Sequence, residues 1–407
     1  MSAPLADLVR VEDPDFYDEH QFAVYDRLRS EAPAFHYEPL DVHLLTRMED
    51  VRATSTRPEI FSNTGGLTLN QLRLARNGSA AAFERFNEPD GELVITKDPP
   101  RQRELRALMA PSLTPRYLEG FRASLEEFSR QLLDDVEPGG VFDFVEAVAS
   151  RLPLYAAAAI LGVEVDIPRM QSWVNALEEL TRVENADQLE EPGQRFDELK
   201  AFLRGQIERR VSEPGEDMIS LMLRGRLDDG PVPAAVVLAH VSTLMSNGGT
   251  TRLLLSSMAG LLADNPGQVD AIRADPRRLD AAIEECLRLA PPARGFVRTL
   301  RADAEVAGTE LRAGDRVYLV YPAANRDPAS YAEPDRFDVA RPQINNHAAF
   351  GFGAHFCLGA GLARLEAQVL FAQLLERFSE IRAEGPRPRY DHVQLNGWAT
   401  VPISLHQ

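Results

Sequence analysis

The sequence predicts a mainly α protein with minor β-sheets (α+β), and three observations carry that reading. Helical patterns dominate from residue 98 to about 290. Strand-like alternation is confined to short stretches, at 35–46 and within 295–321, with a hairpin-like pattern at the C-terminus. The apolar run 234–264 is about twice as long as an average helix. Taken in order, "EHQFAVYDRLRSE" (19–31) reads as helix, "FHYEPLDVHLLT" (35–46) as a strand pair and "MEDVRATSTRPEIF" (48–61) as helix. Residues 62–96 carry loop signals and glycines. Asp98 reads as the N-cap of the next helix, with Pro99 and Pro100 in its first turn. A turn-rich stretch from Asn325 leads to a loop around Cys357, followed by a helix over 358–379. Asn396-Gly397 predicts a type I′ turn in a final hairpin.

Composition excludes several classes. A formal net charge of −18 opposes binding to nucleic acid or an anionic membrane. No apolar run is long enough to serve as a membrane anchor, and the acidic N-terminus lacks a secretory pattern. Two cysteines make no disulfide framework, which points to a reducing, cytoplasmic setting. Heavy use of Ala and Arg points to a GC-rich bacterial genome. No repeat or low-complexity linker divides the chain, so residues 1–407 are expected to form one unit.

The stretch "FGFGAHFCLG" (350–359) concentrates the chemistry. Behind it, Leu358, Leu362, Leu365, Val369, Ala372 and Leu375 mark a buried helix face. Cys357 therefore lies at or just before a helix N-terminus, where exposed N–H groups and the helix dipole favour thiolate. The glycines let the backbone approach something flat or bulky. A thiolate on such a loop suits axial ligation of haem iron. A buried packing cysteine is a second reading, and a nucleophile served by His355 a third.

Phe350, Gly353, His355, Cys357 and Gly359 resemble the haem-ligand signature of the cytochrome P450 family, and further motifs follow in the expected order. The resemblance implies a P450-like fold with a long central helix over haem b (iron protoporphyrin IX), and Cys357 as the iron ligand. Phe350, Gly351 and Gly359 then belong to the haem cradle. It implies haem-propionate contacts from Gln102, Arg106, Arg298 and His355. Many relatives have His where Gln102 stands. In "EECLR", Glu285 and Arg288 resemble the family's Glu-x-x-Arg, expected to pair with Arg336 of "PDRF". Read without the resemblance, they are an ordinary helix-surface pair, and Glu284 reaches Arg288 equally well.

Within 234–264 the family writes Ala/Gly-Gly-x-Asp/Glu-Thr; here the residues are Ser246, Asn247, Gly248, Gly249 and Thr250. The alcohol is kept and the acid is absent. Splitting dioxygen needs protons, and general-acid assistance is typically worth about 10²–10⁴-fold. Thr250 with Asn247 and water, a polar substrate group, or use of peroxide each offers a substitute at Gly249. The bland alternative is two helices, the second capped by Thr250. By the same resemblance the substrate pocket takes residues from 62–96 and 168–200, together with Met245, Gly248, Gly295, Phe296, Val297 and Trp398. Arg294 faces either pocket or solvent.

The expectation is a monooxygenase hydroxylating or epoxidising a small, largely apolar molecule in secondary metabolism or catabolism. It would use O2 and electrons from a separate ferredoxin or flavodoxin with its reductase. Rivals are a peroxygenase or an oxidative coupling or desaturation enzyme on the same fold, a non-enzymatic haem or ligand-binding protein, and a haem-free cysteine hydrolase.

Overall fold

A computed structural model describes residues 3–77, 92–164, 166–182, 188, 190–342 and 344–407, and only the backbone at residues 246 and 247. Parts of the expected pocket segments 62–96 and 168–200, and the Asn247 side chain, lie outside the described residues. The architecture is helical with small sheets, as the periodicity requires. No described helix is long and apolar enough to cross a membrane.

The five-stranded sheet joins distant parts of the chain. Ala34–Tyr37 runs antiparallel to Val42–Leu45, which pairs in parallel with Arg316–Val320. That strand is antiparallel to Gly295–Leu300, whose far edge takes Phe61–Ser62. Only glycine fits at 295, because a Cβ there would overlap the Leu319 carbonyl. Strand alternation then sends Phe296 and Arg298 to one face of the sheet, and Gly295 and Val297 to the other.

The central helix, Ala234–Asp264, is one continuous element that passes Gly248 and Gly249 without a break, so the two-helix alternative does not hold. It is buried along its length by Val237, Val241, Met245, Leu253, Leu255, Met258 and Leu262. Two interior glycines cost about 1 kcal/mol each against Ala. Close packing offsets this: a Cβ at Gly248 would stand 3.3 Å from Leu154 Cδ2. Cys286, on helix Arg278–Leu289, is fully buried against the central helix, and burial pushes its thiol pKa up.

Three local expectations are corrected. Helix Arg101–Met109 starts after Pro100, and the Asp98 carboxylate does not cap it. It accepts instead from Asn63 N at 2.9 Å and Ser62 Oγ at 2.5 Å and pairs with Arg301 at 2.5 Å, because the strand edge offers it three donors at once. Residues 62–96 are not all loop: Leu69–Arg76 is a helix with a capping box between Thr68 and Gln71. Neither Asn396 nor Gly397 has the positive φ that a type I′ turn demands. Tertiary contacts hold them: Asn396 N and Nδ2 donate to the Pro292 and Pro291 carbonyls at 2.8 and 3.1 Å. The final strand, Pro402–His406, pairs with Glu380–Ala383 and Val141–Asp143.

Candidate functional site

The cysteine loop folds back on itself. Cys357 N donates to Phe350 O at 2.9 Å, and Gly351 N to Ala348 O at 2.8 Å. Gly351 and Gly353 adopt φ of +66° and +69°, the left-handed region that favours glycine. A Cβ at 353 would also meet the Ser55 carbonyl at 2.6 Å. Helix Ala360–Arg377 begins three residues after Cys357, and the N–H groups of Gly359 and Ala360 point at the sulfur. The expectation of a lowered thiol pKa is nevertheless corrected. Burial raises it, and those N–H groups with Arg106 and Arg364 offset only part of the rise.

An ion network with a fully buried centre fixes the approach to the loop. Glu285 takes Arg288 through both oxygens at 2.7 and 2.8 Å, and Arg341 Nε at 2.8 Å. Arg288 also donates to the carbonyls of Asn325, Pro334 and Arg336, and Arg341 to those of Ala332, Glu333 and Arg336. The expected third member, Arg336, is thus corrected to Arg341. The Arg336 carbonyl turns inward, so its side chain points out to Glu333 at 3.1 Å. Glu284 does not reach Arg288. It holds Arg364 of the following helix at 2.6 and 2.7 Å and His347 at 3.0 Å. Burial alone would raise its pKa, but the Arg364 and His347 contacts take it down to about 2.

A cavity of about 290 Å³ separates the cysteine loop from the central helix. Cys357, Gln102, Arg106, Arg298, His355, Phe350, Gly351 and Gly359 all line it, as do Gly248 and Thr250 on the opposite wall. Cys357 is exposed only in the sense that its thiol opens onto this interior space. Phe296 lines the cavity; Gly295 and Val297 do not, because strand alternation turns them away. Met245 packs in the core, about 100° round the helix from the lining Leu244. Trp398 lies beneath Arg389 and Arg387, 4.6 and 5.5 Å from its ring centre, outside the cavity wall. Arg294 faces neither pocket nor solvent but stacks 3.9 Å over the Tyr17 ring. Gly249 is also absent from the wall.

One end of the cavity gathers donors that lack an anion. Arg298 is 5% exposed, and its Nη1 donates only to the adjacent Val297 carbonyl, at 2.8 Å. His355 Nε2 has no partner. Burial, then Arg298, with Arg106 adding, pushes the His355 pKa down to about 4, although Asp98 opposes them. Arg106 donates to Phe356 O at 2.7 Å and forms no ion pair among the described residues. These groups fit a flat apolar molecule carrying carboxylates on one edge and a metal that accepts a thiolate. Gln102 departs from this pattern. One N–H of its amide donates to Ala354 O at 2.7 Å and ties down the loop, and Oε1 has no partner, so at most one N–H remains to donate, without charge.

Sequence reasoning missed three cavity residues. Tyr321 sits under the loop, a Cβ on Gly351 lying 3.2 Å from its hydroxyl. His240 accepts from Val94 N at 3.2 Å while its Nδ1 meets Val236 O at 2.7 Å, so the ring is neutral with the proton on Nδ1. Glu366 is buried with one oxygen unpartnered, and burial pushes its pKa up to about 8. A carboxyl in an unfolded chain titrates near pH ~4.3. Between that value and about 8, unfolding therefore releases a proton and Glu366 costs stability as pH rises. Glu366→Gln is expected to raise the unfolding temperature at pH ~8 and leave it unchanged at pH ~4, read by calorimetry across that range.

The comparisons agree with this geometry. The family model "Cytochrome P450" matches residues 270–402. Cytochrome P450 107B1 of Saccharopolyspora erythraea is 33% identical, over 98% of this chain and 97% of that protein. Linalool 8-monooxygenase of Pseudomonas putida is 28% identical, over 97% of this chain and 98% of that protein. Among solved structures, a mutant of P450 EryK in complex with erythromycin B matches with a TM-score of 0.83 at 26% identity, covering 95% of this chain and 96% of that one.

Proposed function

The chain belongs to the cytochrome P450 family and is a haem-iron, dioxygen-using monooxygenase, and from that premise we propose that it oxidises a small, largely apolar molecule by hydroxylation or epoxidation. The observation that carries the proposal is the placing of Cys357 in one apolar cavity with Arg298, which has no acidic partner among the described residues, and His355, whose Nε2 has no partner. In this reading Cys357 holds the iron of haem b through its sulfur, and Arg106, Arg298 and His355 hold the propionates. When bound, the haem supplies dioxygen activation and oxygen insertion.

The protein's own groups do the rest. Phe350, Gly351 and Gly359 allow the loop to lie close against the macrocycle, and the buried Glu285 network keeps that loop in place. Leu244, Phe296, Ala293 and Val94 give the opposite side an apolar lining that orients a substrate and keeps water out. Gly248 leaves room beside them, and Thr250 is placed to hold and pass a proton into the cavity. Bacterial members generally take electrons from redox partners, and a separate ferredoxin or flavodoxin with its reductase is proposed here. One relative is named for oxidising linalool and one structural neighbour holds erythromycin B, which supports an organic small-molecule substrate here.

The visible spectrum of purified ferric protein, titrated with terpenoids, steroids, macrolides and phenolics, tests the proposal. A low-spin to high-spin conversion confined to one class identifies the substrate class. Product formed only with reductase and ferredoxin supports monooxygenation, whereas product formed from peroxide alone favours the peroxygenase rival. Purified protein without a haem spectrum overturns the proposal.

A further inference from the structure

The acid absent from the central helix is present in space. The face of Gly249 that would carry Cβ looks onto helix Ile167–Leu180, and Oε1 of Glu178 occupies the place of that Cβ. Glu178 Cδ and Val174 Cγ1 follow at 3.3 and 3.5 Å. The missing side chain leaves a notch one residue before Thr250, and a carboxylate from the neighbouring helix fills it.

That carboxylate is 8% exposed and fully partnered. Arg252 Nη2 donates to Oε1 at 3.1 Å and to Oε2 at 3.0 Å, and the Tyr390 hydroxyl donates to Oε2. Arg252 and Arg182 lie 4.7 and 4.8 Å over the Tyr390 ring. Tyr390 stacks on His392, whose Nε2 meets Thr181 Oγ1 at 2.7 Å. Burying such an ion pair gains little net stability, since an apolar pair of the same shape does as well or better. Placing it against the one turn of the central helix where Thr250 enters the cavity wall therefore needs a reason other than adhesion.

We propose that Glu178 takes over the task of the missing acid: it is a positioning residue that feeds protons, through the notch at Gly249, to the Thr250 hydroxyl. Tyr390 and Arg252 connect it to the partly exposed C-terminal segment, from which it is recharged. Each dioxygen consumed in monooxygenation takes two electrons from the reductant and two protons, one oxygen leaving as water and the other entering the substrate. The proposal concerns only the route of those protons, and it rests on the monooxygenase reading above.

The test uses purified holoenzyme with excess surrogate ferredoxin and reductase in H2O and D2O, with no organic substrate added. Each dioxygen then takes two electrons and two protons and leaves as hydrogen peroxide, so reductant consumption still draws on the same proton route. In Glu178→Gln, which keeps shape and most hydrogen bonds, reductant consumption should fall about tenfold or more and its solvent isotope effect should rise. Glu178→Asp should recover most of what Gln loses. A second readout needs no turnover. Gly249→Glu alone forces two carboxylates together and should lower the unfolding temperature, and adding Glu178→Ala should restore it; in turnover that double variant should also keep the wild-type rate, because the acid has been moved back to the central helix. If Glu178→Gln unfolds at a lower temperature yet consumes reductant within about twofold of wild type with an unchanged isotope effect, the residue is only a fastener and the proposal is wrong. Wild-type protein lacking a haem spectrum would instead sink the monooxygenase reading itself, so the two failures are distinguishable.

Discussion

Glu285→Ala is expected to yield protein that is either insoluble or destabilised by about 3–5 kcal/mol and that loses haem on purification. The size follows from what the truncation leaves behind. Arg288 and Glu285 are fully buried, and Arg341 nearly so. Removing the carboxylate strands two guanidinium charges where water cannot reach them. A natural domain has only about 5–15 kcal/mol of stability in total, so this one change takes a large share. The network also ties residues 325–341 to helix Arg278–Leu289, and those residues lead directly into the cysteine loop. Arg341→Ala should behave similarly. Arg336→Ala should stay within about 0.5 kcal/mol of wild type, because its side chain points to solvent and the network uses only its carbonyl. Equal effects at 336 and 341, measured by denaturant unfolding, would contradict the assignment.

Cys357→Ala is expected to abolish monooxygenation while leaving the chain folded. The thiol opens onto the cavity, so truncation makes no new hole in packed core. It does remove the one thiol among the described lining residues, and with it the thiolate signature of the reduced carbon monoxide complex. His355→Ala separates this reading from nucleophilic cysteine chemistry. His355 Nε2 has no partner, and burial and two arginines keep the ring neutral. As a haem-edge donor its loss should loosen haem retention several-fold and spare some turnover; as a base for a nucleophile its loss would be as severe as that of Cys357.

The helical class was legible because 3.6-residue periodicity survives in single segments such as 234–264 and 358–379. The cysteine loop was legible because its glycines and cysteine are contiguous. Alternation within 295–298 was equally local, and reading it would have separated Phe296 and Arg298 from Gly295 and Val297. Other features were not local at all. Asp98 turns to Arg301, Asn396 to the carbonyls at 291 and 292, and Arg341 displaces Arg336 through a choice of which backbone carbonyl faces inward. Glu178 lies 71 residues before Gly249, and nothing in either stretch announces that one fills the space left by the other.

The burial of Cys286 has an analytical use. With that thiol sealed in the core and its ionisation suppressed, the folded, cofactor-free chain offers a thiol-selective reagent a single accessible thiol, at Cys357. Any group seated on that sulfur blocks the reaction, and denaturation exposes both. The ratio of native to denatured thiol titre therefore runs from one half for empty protein to zero for fully loaded protein. The two cysteines thus act as a built-in gauge of occupancy, one counting vacant sites and the other counting chains.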